Sequence, residues 1–257
     1  MSYIKNKKLF YINSRNRENG TDNDFEVTVQ LPSFQNFSKI CVLSITLPKS
    51  YYCVQDGYNT FILKENTTQT TITLPPANYN RRSLASTITT LLNLVSPNGW
   101  IYEITYPNHL LNADNGKYTI TVSGNSTQPS FIFDDNGVYE LLGFSANSTN
   151  TFINDKIIST NVCKIQSEDV IRLHSNMSDN NGDDVLLEIY SGSTQTFSNI
   201  VWTCPDVQAY SREITRRSTN SYRFFLTNED NQRINFNGLN VCFTILVYEP
   251  ITSLLKL

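Results

Sequence analysis

The stretch LNVCFTILV, residues 239–247, sets Leu239, Val241, Phe243, Ile245 and Val247 at every second position, the longest clean alternation in the chain. Successive side chains of a strand point to opposite faces, so this period predicts a strand with one buried face. The same pattern occurs near the other end. Phe25, Val27, Val29 and Leu31 alternate with Glu26, Thr28 and Gln30 until Pro32 stops the run. Over residues 40–47, Cys41, Leu43, Ile45 and Leu47 alternate with Val42, Ser44 and Thr46, and Pro48 closes the segment. Residues 60–64 follow the turn signal Asp56-Gly57. The last third adds residues 170–174, then Val185, Leu187 and Ile189, then Ile200 and Trp202, then Tyr222, Phe224 and Leu226.

The middle of the chain changes period. After a short strand at 72–74 and the break at Pro75-Pro76, Leu84, Ile88, Leu91, Leu92 and Val95 fall on one face of a helix. Asn80 or Ser83 can cap its start, and Pro97-Asn98-Gly99 ends it. Strand-like pieces at 100–106, 118–122 and 131–133 follow, then a helical turn at 138–144 broken by Gly143. Residues 65–150 therefore read as a small α+β insertion domain between β-rich halves at 1–64 and 151–257. About eight main strands with long, uneven connections predict an all-β fold, a two-sheet sandwich of jelly-roll type.

Composition narrows function. The chain has 257 residues, 39% hydrophobic and only 17% charged, with a net charge of −3. That balance lacks the dense positive charge of general nucleic-acid binding. Residues 1–13 are too polar for a secretory signal, and nowhere do about eighteen apolar residues run together, so no transmembrane segment is expected. The five cysteines are scattered without a CxxC pair, which fits reduced, mostly buried thiols. Catalysis needs a positioned acid, base, nucleophile or metal. The two histidines, His109 and His174, have no partner at ligand spacing, and no hydrolase, zinc-protease or phosphate-loop motif occurs. Asp179 to Asp184 lacks the alternating ligands and closing Glu of a calcium loop and reads as a turn. No catalytic centre, cofactor or metal is expected.

Assembly features remain. Lys5, Lys7 and Lys8 form a basic N-terminal arm, and Arg212, Arg216 and Arg217 a second basic cluster beside Tyr210 and Tyr222. A solvated face is the plainer reading of each, a contact surface the functional one. Beyond Pro250, the side chains of Ile251, Leu254, Leu255 and Leu257 are too apolar to be left in water, so this tail should dock on its own domain or on a neighbour.

Several stretches resemble penton (vertex) proteins of virophages, polinton-like viruses and related large DNA viruses with jelly-roll shells. LFYINSRNRENGTDNDFEVTVQLP (9–32) is similar to their opening strand, Ser-Arg-rich loop and F-x-V-x-L-P segment. KICVLSITLPKSYYCVQDGYNTFIL (39–63) resembles their second strand and its Pro-x-x-Tyr corner. TITLPPANYNRRSLASTITTLLN (71–93) resembles the strand and helix that introduce an insertion, with Ala77 where Gly is more usual. YELLGF (139–144) and FFLTNEDNQRINFNGLNVCFTILV (224–247) resemble that unit's ending and the closing hairpin.

The resemblance implies one jelly roll built from both chain ends, with an insertion projecting from it. It further implies a homopentamer at the fivefold vertex of a virion, made in the host cytoplasm or a virus factory. Its partners are then the major capsid protein and possibly minor capsid proteins. Two other readings stand beside it. A minor capsid, cement or spike-base protein keeps the fold without the fivefold ring. A jelly-roll glycan-binding module needs exposed aromatic rings, whereas Trp100 and Trp202 both lie in strand patterns.

Overall fold

The computed structural model describes residues 4–32, 35–106, 114–135, 137–165, 169–178, 184–215 and 219–251. In chain order the strands begin with β1 (Ile4–Asn13), β2 (Asn19–Gly20), β3 (Asp24–Thr28), β4 (Lys39–Pro48), β5 (Thr60–Glu65) and β6 (Thr68–Thr73). Helix α1 (Arg81–Val95) leads to β7 (Ile101–Thr105), β8 (Thr119–Ser123) and β9 (Ser130–Phe133). The one-turn helix α2 (Tyr139–Leu142) precedes β10 (Ser148–Thr151) and β11 (Lys156–Ile158). The chain then returns to strands with β12 (Val170–Ser175), β13 (Val185–Tyr190), β14 (Asn199–Thr203), β15 (Arg212–Glu213), β16 (Ser221–Thr227) and β17 (Cys242–Pro250). Strands make up 44% and helix 10%, so the fold is all-β.

The backbone groups into two compact units, one joining Met1–Tyr51 to Glu168–Leu257 and the other Tyr52–Ser167. In the first, one antiparallel sheet has the order β1-β17-β4-β14, with β15 also on β4, and the other the order β13-β12-β16-β3-β2. Without the two-residue strands, eight remain among the described residues. Counted along the chain, they take the order one-eight-three-six in one sheet and five-four-seven-two in the other. That interleaving is the jelly roll. Each sheet's inner face contributes to one core, in which Phe243 of β17 meets Phe25 of β3 and Phe224 of β16 at 6.5 and 5.1 Å between ring centroids. Buried rings at these separations add attraction beyond the apolar area they hide.

Three local differences from the alternation have physical causes. In β4 the core face is Ile40, Val42, Ile45 and Leu47, so Cys41 and Leu43 do not point with Ile45 as their spacing suggests. Thr244 of β17 pairs with Ser44 while Ile245 pairs with Val42, which leaves Leu43 as the extra residue of a β-bulge. One inserted residue flips the face of everything before it. Leu239 is half exposed and lies before β17 begins, although Val241, Phe243, Ile245 and Val247 are buried as their period requires. β1 starts at Ile4 and pairs with β17 from there, so the lysine-rich segment expected as an arm is part of a strand.

The second unit holds the sheets β10-β9-β5-β6 and β11-β8-β7. Ladder pairing of β5 with β6 and β9 draws the segment 60–65 into this unit, upstream of the boundary read at 65. Helix α1 starts at a capping box. The Asn80 side chain accepts from the Ser83 N–H at 2.9 Å, and the Ser83 hydroxyl oxygen accepts from the Asn80 N–H at 3.0 Å. Leu84, Ile88 and Leu92 are buried from its inner face. After the helix, the fully buried Glu65 carboxylate accepts from the Ser96 hydroxyl (2.7 Å), the Asn98 N–H (3.0 Å) and side-chain amide (2.9 Å), and the Tyr102 hydroxyl (2.8 Å). Four donors satisfy a group that burial would otherwise make costly. Gly143 ends α2 at φ +72°, where a Cβ would collide with the Asn161 carbonyl oxygen.

Phe243→Ala removes the ring shared by both sheets and is expected to destabilise the first unit by about 3–5 kcal/mol, against roughly 0.5 kcal/mol or less for Leu239→Ala. Urea unfolding followed by Trp202 fluorescence measures both.

Candidate assembly surface

Among the described residues, strand order leaves β1 at an edge of its sheet, with β17 as its neighbour. Exposed edges invite pairing with other chains, and lysines are a common way of discouraging it. Lys7 and Lys8 face opposite sides of β1, and Lys5 sits at an irregularity in its pairing with β17. The Lys5 ammonium donates to Glu249 Oε1 at 3.1 Å. Lys8 donates to the Gln30 carbonyl at 3.1 Å and lies 4.8 Å from the centre of the Phe10 ring.

Register gathers the predicted contact residues at one end of this sheet. Lys7 pairs with Tyr248, which pairs with Lys39, which pairs with Glu213. In the next row Lys8, Val247, Ile40 and Arg212 lie side by side. Three strand spacings separate Lys8 from Arg212, about 14 Å. Ile251, half exposed, follows Pro250, the partner of Ile4. Lysines, Arg212 and Ile251, remote in sequence, therefore share one end of one sheet. Acidic neighbours offset the charge: Glu249 takes Lys5, and Glu213 takes Lys39. Arg216, Arg217, Leu254, Leu255 and Leu257 lie outside the described residues. Tyr222, read as a surface neighbour of the arginines, is instead fully buried, because its place in β16 faces the core. Tyr210 stays partly exposed and packs on Trp202 at 5.5 Å.

The structure adds surface residues that the period alone did not single out. Tyr11 is 79% exposed and Val201 68%, on the two edge strands of the same sheet, with Leu9 half exposed beside Tyr11. The run Leu9-Phe10-Tyr11-Ile12 carried the signal, since apolar residues on both faces of an edge strand mean that one apolar face has no cover from its own domain. Phe197 is 73% exposed at φ +64°, a left-handed conformation that a bulky residue seldom adopts. Its N–H donates to the Lys49 carbonyl at 2.8 Å, and the Lys49 N–H donates to the Ser198 carbonyl at 2.8 Å. The buried Lys49 ammonium reaches the Ser191 carbonyl at 3.0 Å, so the loop carrying Phe197 is tied at its base. Burial pulls that ammonium's pKa down, with Asp169 acting against the shift.

Two polar clusters deserve a chemical test. The His174 ring lies between the Asp184 carboxylate (Nδ1 to Oδ1, 2.7 Å) and the Thr227 hydroxyl (Nε2 to Oγ1, 2.8 Å), and stacks on Phe225 at 4.5 Å. This is the spacing of a nucleophile, base and orienting acid. Thr227 is 1% exposed, however, so its hydroxyl offers a substrate no approach. The second cluster surrounds Asp24, which takes Arg223 at 2.6 Å and Arg233 at 3.1 Å, while Arg233 lies 3.6 Å from the Phe225 ring centre. A shallow depression of about 400 Å³ beside it is lined by Asn19, Thr21, Glu26 and Arg223. Among the described residues no group of His, Cys, Asp and Glu could hold a metal ion, and no helix is long and apolar enough to cross a membrane.

No protein-family profile matches the chain, and no curated protein matches it in sequence. Among solved structures it is similar to the mavirus penton protein, with 11% identity, 95% of this chain and 99% of that chain covered, and a TM-score of 0.48. It is similar also to a chain of the Sputnik virophage structure, with 11% identity, 95% and 98% coverage, and a TM-score of 0.42. Its structural likenesses include virophage proteins. A fainter likeness, TM-score 0.23 at 13% identity, is to the D2–D3 domains of the Escherichia coli flagellar cap protein FliD, covering 86% of this chain and 98% of that one.

The Asp24 cluster ties β3 to β16 and makes stability depend on acid. Burial raises the Asp24 pKa, but the hydrogen bond and charge of Arg223, aided by Arg233, outweigh it and hold the carboxyl below its ordinary value. A depressed carboxylate contributes stability above its unfolded pKa, about 3.9, and loses it as pH falls through the folded value. Asp24→Asn is therefore expected to lower the urea midpoint at pH 7 and to flatten its decline below about pH 4. Unfolding midpoints of both proteins across that range measure the difference.

Proposed function

We propose that this chain is a structural subunit of an icosahedral virus shell, a penton protein whose homopentamer closes the fivefold vertices beside the major capsid protein. The observation that carries the reading is a jelly roll with a filled interior. Enzymes of the cupin type place a metal and its ligands inside that barrel, where this chain packs Phe25, Phe224 and Phe243 against one another. A sandwich closed in this way has its edges, ends and outer faces left for function. The sequence motifs quoted above favour the vertex among positions in a shell.

In this reading the edge strand β1, the cluster of Lys5, Lys7, Lys8, Arg212 and Ile251, and the exposed Tyr11 and Val201 form the surface that meets neighbouring subunits. Tyrosine and arginine are enriched at such surfaces. The protein acts without catalysis, cofactor or specific nucleic acid, and minor capsid proteins are further partners in the virion. Trp100 is 5% exposed and Trp202 packs against the sandwich core, which leaves neither as a sugar-stacking platform.

Native mass spectrometry of the purified chain decides the matter. The expected species has five times the 29.3 kDa chain mass. Tyr11→Arg is expected to shift it towards monomer while the far-ultraviolet circular dichroism stays unchanged. Twelve vertices of five subunits further require about sixty copies per particle. A trimer, or a copy number of another multiple, overturns the vertex assignment in favour of a minor or cement protein.

A further inference from the structure

Two thiols face each other on the outer side of the first sheet. Cys41 Sγ of β4 lies 3.6 Å from Cys204 Sγ, just past the end of β14. The pair is held by backbone, since Thr203 pairs with Ser44 and the Cys204 N–H donates to the Leu43 carbonyl at 2.8 Å. The bulge at Leu43 is what turns Cys41 away from the core and towards Cys204. From the sequence alone these are two unrelated cysteines 163 residues apart, in a chain whose thiols read as reduced.

We propose that Cys41 and Cys204 form an oxidation-dependent disulfide that staples β4 to the segment after β14. A disulfide needs the sulfurs to close to about 2.05 Å, a movement of roughly 1.5 Å that χ1 rotation of two adjacent side chains can supply. The two thiols have different parts. Cys204 is partly exposed and is the one an oxidant reaches, whereas Cys41 is 1% exposed. Burial, then the nearby Cys204, push the Cys41 pKa up to about 12, so it stays a neutral thiol that resists bulk oxidants, and its 3.6 Å contact is what makes Cys204 its partner.

With hydrogen peroxide as oxidant, the Cys204 sulfur attacks one peroxide oxygen, the O–O bond breaks, and the other oxygen leaves as water with the thiol proton as the sulfenic acid forms. The Cys41 sulfur then attacks the Cys204 sulfur, the S–O bond breaks, and the thiol proton departs with the hydroxyl as a second water. Two thiols are oxidised and one peroxide is reduced. The bond closes a loop holding the whole second unit, and such long loops gain most from cross-linking because the unfolded chain loses most freedom. If the chain is a virion subunit, as proposed above, the thiols stay reduced during synthesis and close once a particle meets an oxidising exterior.

The test treats the full chain, carrying Cys242→Ser to remove the exposed thiol, with hydrogen peroxide or with reductant. Intact-mass and peptide mapping are expected to show loss of two hydrogen masses and one cross-link, between Cys41 and Cys204. The melting temperature should rise by about 5 °C or more on oxidation. Cys204→Ser should melt like the reduced parent and show no rise with peroxide. Full accessibility to oxidant without a cross-link, a link mapped to Cys53 or Cys163, or an undiminished rise in Cys204→Ser overturns the proposal. This readout does not depend on oligomeric state, so it stands or falls separately from the shell assignment.

Discussion

The closing strand β17 is the element on which the first unit depends. It lies between β1 and β4, so that the last segment of the chain hydrogen-bonds to the first along nine paired positions from Ile4 to Asn13. Its inner residues Phe243, Ile245 and Val247 are buried, and Phe243 reaches across to the opposite sheet. A strand with two neighbours and a buried face has one register that keeps its apolar residues inside. The two halves of the chain are joined through it, around a middle segment that forms its own sheets and core.

That closure has a consequence for function. Aromatic rings occupy the space in which a jelly-roll enzyme or carrier would hold its ligand. Among the described residues, Glu65 is held by four donors, His174 by Asp184 and Thr227, and Asp24 by two arginines. Among the described residues the exposed features include an edge strand, a charged end and a few exposed rings. Phe197 is exposed as well, at a left-handed backbone position in a loop that Lys49 anchors.

Period-two patterning made most of the sandwich legible, since Phe25, Val27, Tyr222, Phe224 and Leu226, with Phe243, Ile245 and Val247 of β17, are each buried where alternation puts them. The helix α1 and its cap at Asn80 were equally plain, because a 3.6-residue period bounded by a polar cap and Pro97 has few other readings. Features that depend on pairing were hidden. Nothing in residues 40–47 announces a bulge at Leu43, so the facing of Cys41 could not be read, nor its contact with Cys204. Likewise the basic segment at Lys5 to Lys8 lacks an apolar period, yet Asn6, Lys7 and Lys8 pair in register because β17 offers them a ladder. The buried His174 relay joins residues from β12, β16 and the segment before β13, which no local spacing could reveal.

Native-state hydrogen exchange tests the central claim most directly. If β17 joins the two ends of the chain, the slowest amides of β1, β4 and β17 exchange through one shared opening. They then show equal opening free energies and equal denaturant dependence. Separate openings for β1 and β17, or a β17 that exchanges as fast as the exposed loops, contradict the account.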